Sequence, residues 1–144
     1  MYGILSEQDQ IDNMIEQEIL ARTIWAEARG ESAEGQKAIA NVVNNRIASG
    51  KTWWGNDVRS VCLTPYQFSC WNKSDPNRPK LLAVTADDPS YSGCLVIAGN
   101  SIRGNLPDNT ADADSYEVTG LNTYWARTLQ PVAVIGHHSF YKTI

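Results

Sequence analysis

Apolar residues recur at helical spacing through most of the first hundred positions. Ile11, Met14, Ile15 and Ile19 lie three or four apart, and Leu20, Ile24 and Ala28 carry the stripe to Gly30, a C-terminal stop. Ser6 followed by Asp9 marks the start, and Asn13 leaves open whether this is one helix or two. The spacing predicts a second helix from about Ala33 to Ala48. Ile39, Val43 and Ile47 fall four apart, Ala40 and Val42 widen the face, and Gly50 ends it. Asp57 can cap a short turn, "VRSVC". Asp88 and Pro89 open a further helix, carried by Tyr91, Leu95, Ala98 and Ile102 to Gly104. Between these, "LTPYQFSCWNKSDPNRP" is rich in turn formers and reads as an ordered but irregular loop, the kind of segment that builds a binding wall. After Gly104, "SYEV" and "VAVI" favour strands, "GHH" a turn and "SFYK" a returning strand. The predicted class is α+β, mainly helical with a small C-terminal β element. No repeat, linker or low-complexity stretch divides residues 1–144, so a single domain is expected.

Composition narrows the function classes. An apolar fraction of 42% with 19% charged residues belongs to a globular chain, and a formal charge of −4 argues against nucleic acid as partner. An acidic protein must hold an anionic polymer by shape and hydrogen bonds. Runs such as "VAVI" and "CLVIAG" are too short to enter a membrane as a span. The opening "MYGILSEQDQ" has neither a basic nor an apolar leader region, so synthesis in the cytoplasm is expected. Cys62, Cys70 and Cys94 are odd in number and lack metal-type clustering. Free buried thiols are expected, with a Cys62–Cys70 bridge as the alternative in an oxidising compartment. Trp25, Trp53, Trp54, Trp71 and Trp125 are many for this length. Core packing explains any one of them, and a groove that stacks rings on sugar faces explains several together.

The candidate chemistry lies in "WAEARGESAEGQ". Glu27 follows Ile24 by three residues and Leu20 by seven, which puts it on the apolar face of the first helix. It also sits in the last turn, where free carbonyls are partly negative, close to Glu31. Desolvation, dipole and like charge all raise a carboxyl pKa, which is what a general acid requires. The ordinary alternative is a solvated glutamate at a helix end. Glu31 and Glu34 read most simply as first-turn charges of the second helix.

Beyond these readings, "LARTIWAEARGESAEGQKAIANVVNNRI" resembles the opening signature of the spore-cortex-lytic (SleB-like) cell wall hydrolases: A-E-A-R-G-E, E-G-Q, then V-V-x-N-R. "YQFSC" and "VIGHHSFYK" continue the match in order, so it spans roughly Leu20 to Lys142. The resemblance implies a fold like goose-type lysozyme and the lytic transglycosylases, and cleavage of peptidoglycan glycan strands without a cofactor. It maps the family's catalytic acid/base onto Glu27. It further implies a substrate groove containing Glu31, Gln36, Gln67, Phe68, Ser69, Tyr116 and Tyr141. Gln67 would offer an amide to N-acetyl groups, and Tyr116 a hydroxyl near the acid. Gln36 either meets a sugar or ties the loop to the helix, while Asn45 and Arg46 do structural work within the second helix. Relatives usually read G-N-H-x-F-Y where this chain has "GHHSFY", so His138 matches and His137 replaces an asparagine. Side chains adjacent on a strand point apart, so the two histidines are not expected to chelate one metal ion.

The implied reaction passes through an oxocarbenium-like state, with an acid protonating the leaving oxygen. A muramidase adds a second carboxylate, for which Glu31, Asp57, Asp75, Asp112, Asp114 and Glu117 are unplaced candidates. A lytic transglycosylase omits it, because the muramic acid C6 hydroxyl attacks its own anomeric carbon. One acid fits the sequence better than two, so transglycosylation between N-acetylmuramic acid and N-acetylglucosamine is the expected activity. A glycan-binding module without activity and a metal-dependent amidase are the rivals from other classes. The context expected is a monomeric bacteriophage endolysin, made in the host cytoplasm, released through a holin-type pore and acting on the wall from the periplasm.

Overall fold

The computed structural model describes residues 4–144, and Met1 to Gly3, the first residues of the stretch read for a leader, lie outside it. The first helix, α1 (Glu7–Ala28), begins at the predicted cap: the Ser6 hydroxyl accepts the Asp9 N–H at 3.1 Å. It passes Asn13 without a break. Only its second half is core. Leu20, Ala21 and Ile24 are fully buried, whereas Ile11, Met14 and Ile15 remain exposed, contrary to the single buried stripe expected. Length accounts for this. A 22-residue helix is about 33 Å long, while its main partner α5, at 14 residues, is about 21 Å and ends before it covers the first turns.

The second helix, α2 (Ala33–Ser49), starts at the Ser32 cap and stops at Gly50, whose φ of 72° is left-handed. A short α3 (Val58–Leu63) opens with a capping box between Asp57 and Ser60. The segment expected to be wholly irregular holds a 3-10 turn at Ser69–Trp71 and the start of α4 (Asn77–Ala83). With Pro79 inside it and seven residues in all, α4 carries too little periodicity to be read from sequence. It is held from outside, where Leu81 is fully buried and the Arg22 guanidinium donates to the carbonyls of Leu81 and Val84 at 2.5 and 3.0 Å. The last helix, α5 (Pro89–Ile102), has Asp88 as its cap.

The β element is a three-stranded antiparallel sheet in the order β1-β3-β2, from β1 (Ser115–Val118), β2 (Ala133–Ile135) and β3 (His138–Tyr141). Tyr116 pairs with Phe140 and Ile135 with His138. Every residue of β3 is buried, as its central place requires. Helix α2 fastens the chain entering the sheet. The Asn41 amide donates to Pro107 O at 3.1 Å, Asn45 to Ala113 O at 2.8 Å and Arg46 Nε to Asp114 O at 2.6 Å. Asn45 and Arg46 are therefore structural between elements rather than within their own helix. The three cysteines are free and buried. No helix among the described residues is long and apolar enough to cross a membrane.

The loop that carries the 3-10 turn is tied to α1 by a side chain the apolar pattern hides. Buried Thr23 donates to Ile19 O at 2.8 Å and accepts the Trp71 indole N–H at 2.9 Å. Thr23→Val keeps the shape but leaves that N–H without a partner. Urea unfolding is expected to show a loss of about 1–3 kcal/mol, against near neutrality if the bond contributes nothing.

Candidate active site

Glu27 lies in the last turn of α1 between buried Ile24 and Ala28, half-buried itself. Burial raises its pKa above the ordinary glutamate value, opposed by the Cys70 thiol, the Tyr116 hydroxyl and the Cys70 N–H, which point donors at the carboxylate. The like charge that adds to the rise comes from Asp75 and not from Glu31, as the chain order had suggested. Tyr116 and Cys70 are both pushed upward, chiefly by burial and then by the Glu27 charge, so each keeps its proton. The arrangement is a carboxyl group with elevated proton affinity beside neutral donors that also tolerate its ionised form. Such a group can give a proton and take one back.

Tyr116 is placed by the sheet. Its ring lies 5.7 Å from Phe140 and 6.4 Å from Phe68, and it meets His138 edge-on at 5.1 Å. On its open side is a cleft of about 440 Å³ whose walls include Arg46, Trp53, Trp54, Gln67 and Trp125. Glu27 does not line this cleft; Tyr116 stands between the two. Trp53 is 59% and Trp125 39% exposed, so flat apolar faces look into the opening. Arg46 is 8% exposed, with Trp54 and Phe68 on its guanidinium at 5.5 and 5.3 Å. Its Nη1 donates to Gln67 Oε1 at 3.1 Å. That bond commits the Gln67 carbonyl and leaves its two amide N–H donors free for a ligand acceptor.

Glu31 has a different employment. Its side chain is 7% exposed, and its carboxylate accepts the His137 N–H and meets the His137 ring, both at 2.8 Å. His138 Nδ1 lies 3.2 Å from the same carboxylate, without hydrogen-bond geometry, and remains a buried atom lacking a partner. Both histidines thus face one acid. The expectation that they point apart fails because His137 belongs to the turn rather than the strand, so strand alternation does not apply. Two glycines make room. A Cβ at Gly35 would come within 2.9 Å of Glu31 Cβ, and one at Gly136 within 3.1 Å of both carboxylate oxygens. The signature pieces "ESAEG" and "GHH" are one contact, joining the α1–α2 turn to the β2–β3 hairpin.

The remaining residues divide by the same geometry. The Gln36 amide donates to Ala28 O at 3.2 Å, tying α2 back to the end of α1. Phe68, 2% exposed, is packing beneath the cleft, while Ser69 is exposed at the start of the 3-10 turn. Tyr141 is buried, donates to Glu117 at 3.0 Å and supports Trp125 edge-on at 5.2 Å. Several candidate second acids hold local structure: Asp57 caps α3, Asp114 receives the Thr143 N–H, and Glu117 receives the Thr123 N–H. Cys70 and Arg46 fall within the signature motifs, yet nothing in the sequence placed either beside the acid or the cleft. A buried thiol and a helix arginine are ordinary until the loop and the sheet meet them.

The Glu31 contact sets a pH dependence. Burial pushes the Glu31 carboxyl up, but the side-chain and backbone bonds from His137 and the two histidine charges outweigh it and hold it below 4.5. A lowered acid contributes stability above that value and loses it as the pH falls below it. Burial holds His138 below 6.5, so it too opposes acidification. Glu31→Gln is expected to flatten the acid limb of a stability–pH curve. Gly136→Ala, at φ 57° with its Cβ pressed to 3.1 Å from both Glu31 carboxylate oxygens, should cost about 1–2 kcal/mol by urea unfolding.

Comparison with known proteins accords with this architecture. Residues 30–141 match the Cell Wall Hydrolase family, a stretch that opens three residues after Glu27 and runs through the hairpin. A spore cortex-lytic enzyme of Oceanobacillus iheyensis is 29% identical over 133 residues, covering 87% of this chain and 41% of that protein, so this chain spans under half of that relative. The catalytic domain of the Bacillus cereus SleB protein superposes with a TM-score of 0.66 at 25% identity, over 88% of this chain and 89% of that one. The catalytic domain of a germination-specific lytic transglycosylase, SleB from Bacillus anthracis, shares the fold with a TM-score of 0.67 at 24% identity, over 99% and 100%. The lysozyme-like fold implied by the motifs is thus the fold of these domains, and with a family match over well more than half its length the chain belongs to the cell wall hydrolase family.

Proposed function

We propose that the chain cleaves the bond between N-acetylmuramic acid and N-acetylglucosamine in peptidoglycan, as a lytic transglycosylase with Glu27 as its acid and base. The observation that carries this reading is the half-buried Glu27, with its raised pKa, behind the Tyr116 wall of a tryptophan-lined cleft. Protonated Glu27 gives its proton to the leaving oxygen as the glycosidic bond breaks. The resulting carboxylate then takes the proton of the muramic acid C6 hydroxyl as that oxygen bonds to C1, closing a 1,6-anhydro ring. Proton and electron pairs balance within the glycan, and Glu27 ends protonated. Tyr116 and Cys70 hold the carboxylate in the interval, the tryptophans stack on sugar faces and the Gln67 amide reaches an N-acetyl carbonyl. Asp75 is a further acid whose charge raises the Glu27 pKa, and it favours a second reading, hydrolysis with Asp75 activating water.

Mass spectrometry of fragments from purified peptidoglycan separates the two. Anhydro-muramic ends are expected, and reducing ends throughout would replace this reading with the muramidase. Glu27→Gln should lower turnover by about 10²–10⁴-fold. Its stability should move the other way. A raised acid costs stability as the pH rises through its folded value, so the glutamine variant should match or exceed wild type at pH 7 and lose that advantage toward pH 4.5. Tyr116→Phe removes a donor that lowers the Glu27 pKa, so the alkaline limb of the activity profile should shift to higher pH.

A further inference from the structure

A second cleft, of about 460 Å³, adjoins the first across Tyr66 and carries the side chains of Lys73 and Arg78. No carboxylate oxygen among the described residues lies within 4 Å of either cation. Asp75, between them in sequence, instead accepts the Asn77 N–H at 2.8 Å. Arg78 Nε is buried and has no hydrogen-bond partner. A guanidinium nitrogen withdrawn from water with nothing to donate to is costly, and a native structure that keeps one calls for an explanation. Asn72 and Ser74 add neutral donors, and the Trp71 ring adds an apolar wall held in place through Thr23.

Position relates this cleft to the acid. Trp71 and Asn72 directly follow Cys70, which faces Glu27, and Tyr66 is common to both clefts. Tyr66 is 86% exposed and has a φ of 67°, so a strained backbone holds its ring out as the divider. Glu27 lies outside the tryptophan cleft, but Cys70 meets it and leads straight into Trp71 and Asn72, so a glycan whose scissile bond reaches Glu27 would carry the substituents of the nearby sugar toward Lys73 and Arg78. On a muramic acid unit the large substituent is the peptide stem on the lactyl group. Its free carboxylates match two cations, its amides match Asn72 and Ser74, and its methyl side chains match Trp71. In a chain of net charge −4, two cations without acid partners in one cleft are a local selection for anions rather than a general pull.

We propose that this second cleft receives the peptide stem of peptidoglycan, with Lys73 and Arg78 pairing with its carboxylates, so that the protein reads stem as well as glycan. The inference rests on peptidoglycan being the substrate, and its test is independent of cutting. The Glu27→Gln protein, with and without Lys73→Gln and Arg78→Gln, is co-sedimented with intact sacculi and with insoluble glycan stripped of its stems by an amidase. The expected result is binding to intact sacculi weakened about tenfold or more by the paired substitutions, with binding to stripped glycan unchanged. Lys73→Arg and Arg78→Lys should restore most of the loss. Lys73 is exposed, so Lys73→Gln alone gives a smaller shift of the same kind if the double variant folds poorly. Equal losses on both polymers, or none on either, would overturn the stem assignment, as would selectivity that follows wall-bound phosphate rather than stems. Wild type that binds intact sacculi selectively but releases no glycan fragment would leave the stem assignment standing and sink the catalytic reading instead.

Discussion

Three strands of three or four residues cannot persist in water alone, so this sheet depends on being fastened to the helices. Two attachments do it. On the entering side, Asn41, Asn45 and Arg46 of α2 donate to the backbone carbonyls leading into β1. On the hairpin side, the Glu31 carboxylate receives His137. Between these two points Tyr116 is held with its hydroxyl at Glu27. The position of the Glu27 carboxyl and the stability of the sheet are therefore one problem, solved by side chains that start at the junction of α1 and α2.

This explains how acids so close in sequence have opposite fates. Glu27 and Glu31 are four residues apart, the first in the last turn of α1 and the second in the turn beyond it, yet burial wins for the first and hydrogen bonds from the hairpin win for the second. Glu27 meets donors that hold their own protons tightly, so the proton it carries is available for chemistry. Glu31 meets a backbone N–H and two imidazoles, so it stays charged and structural. Two of the three buried side-chain atoms without a partner among the described residues belong to side chains of this region: the His138 ring packs edge-on against Tyr116, and Arg78 lines the neighbouring cleft. Local imperfection near a site is the pattern expected where function rather than stability selects the side chains.

The clefts combine elements distant in the chain. Trp53 and Trp54 precede α3, Gln67 lies in the long loop, Tyr116 is on β1 and Trp125 lies between β1 and β2. A groove built this way keeps its shape only while the loop is anchored. Thr23 and Arg46 supply the anchors from the two core helices, one through the Trp71 indole and the other through Gln67.

Much of this molecule is legible in the order of its residues, because it is written in local chemistry. Ser6, Asp57 and Asp88 as caps, Gly50 as a left-handed stop, the two long helices and the strand–turn–strand ending all follow from residues within a few positions of one another. So does Glu27 on an apolar face, since the 3.6-residue period places it there. Other features depend on partners the chain order hides. Whether the first half of α1 is covered depends on the length of α5, and α4 exists because Arg22 and the core hold it. The direction of His137 follows from its place in a turn, and Glu31 is closed off by a glycine far away in sequence. The sequence by itself determined which residues can start, stop and line an element. Tertiary structure decided which charges meet, because proton affinity at Glu27 and pairing at Glu31 depend on distance and burial, and neither quantity belongs to a residue until its neighbours are in place.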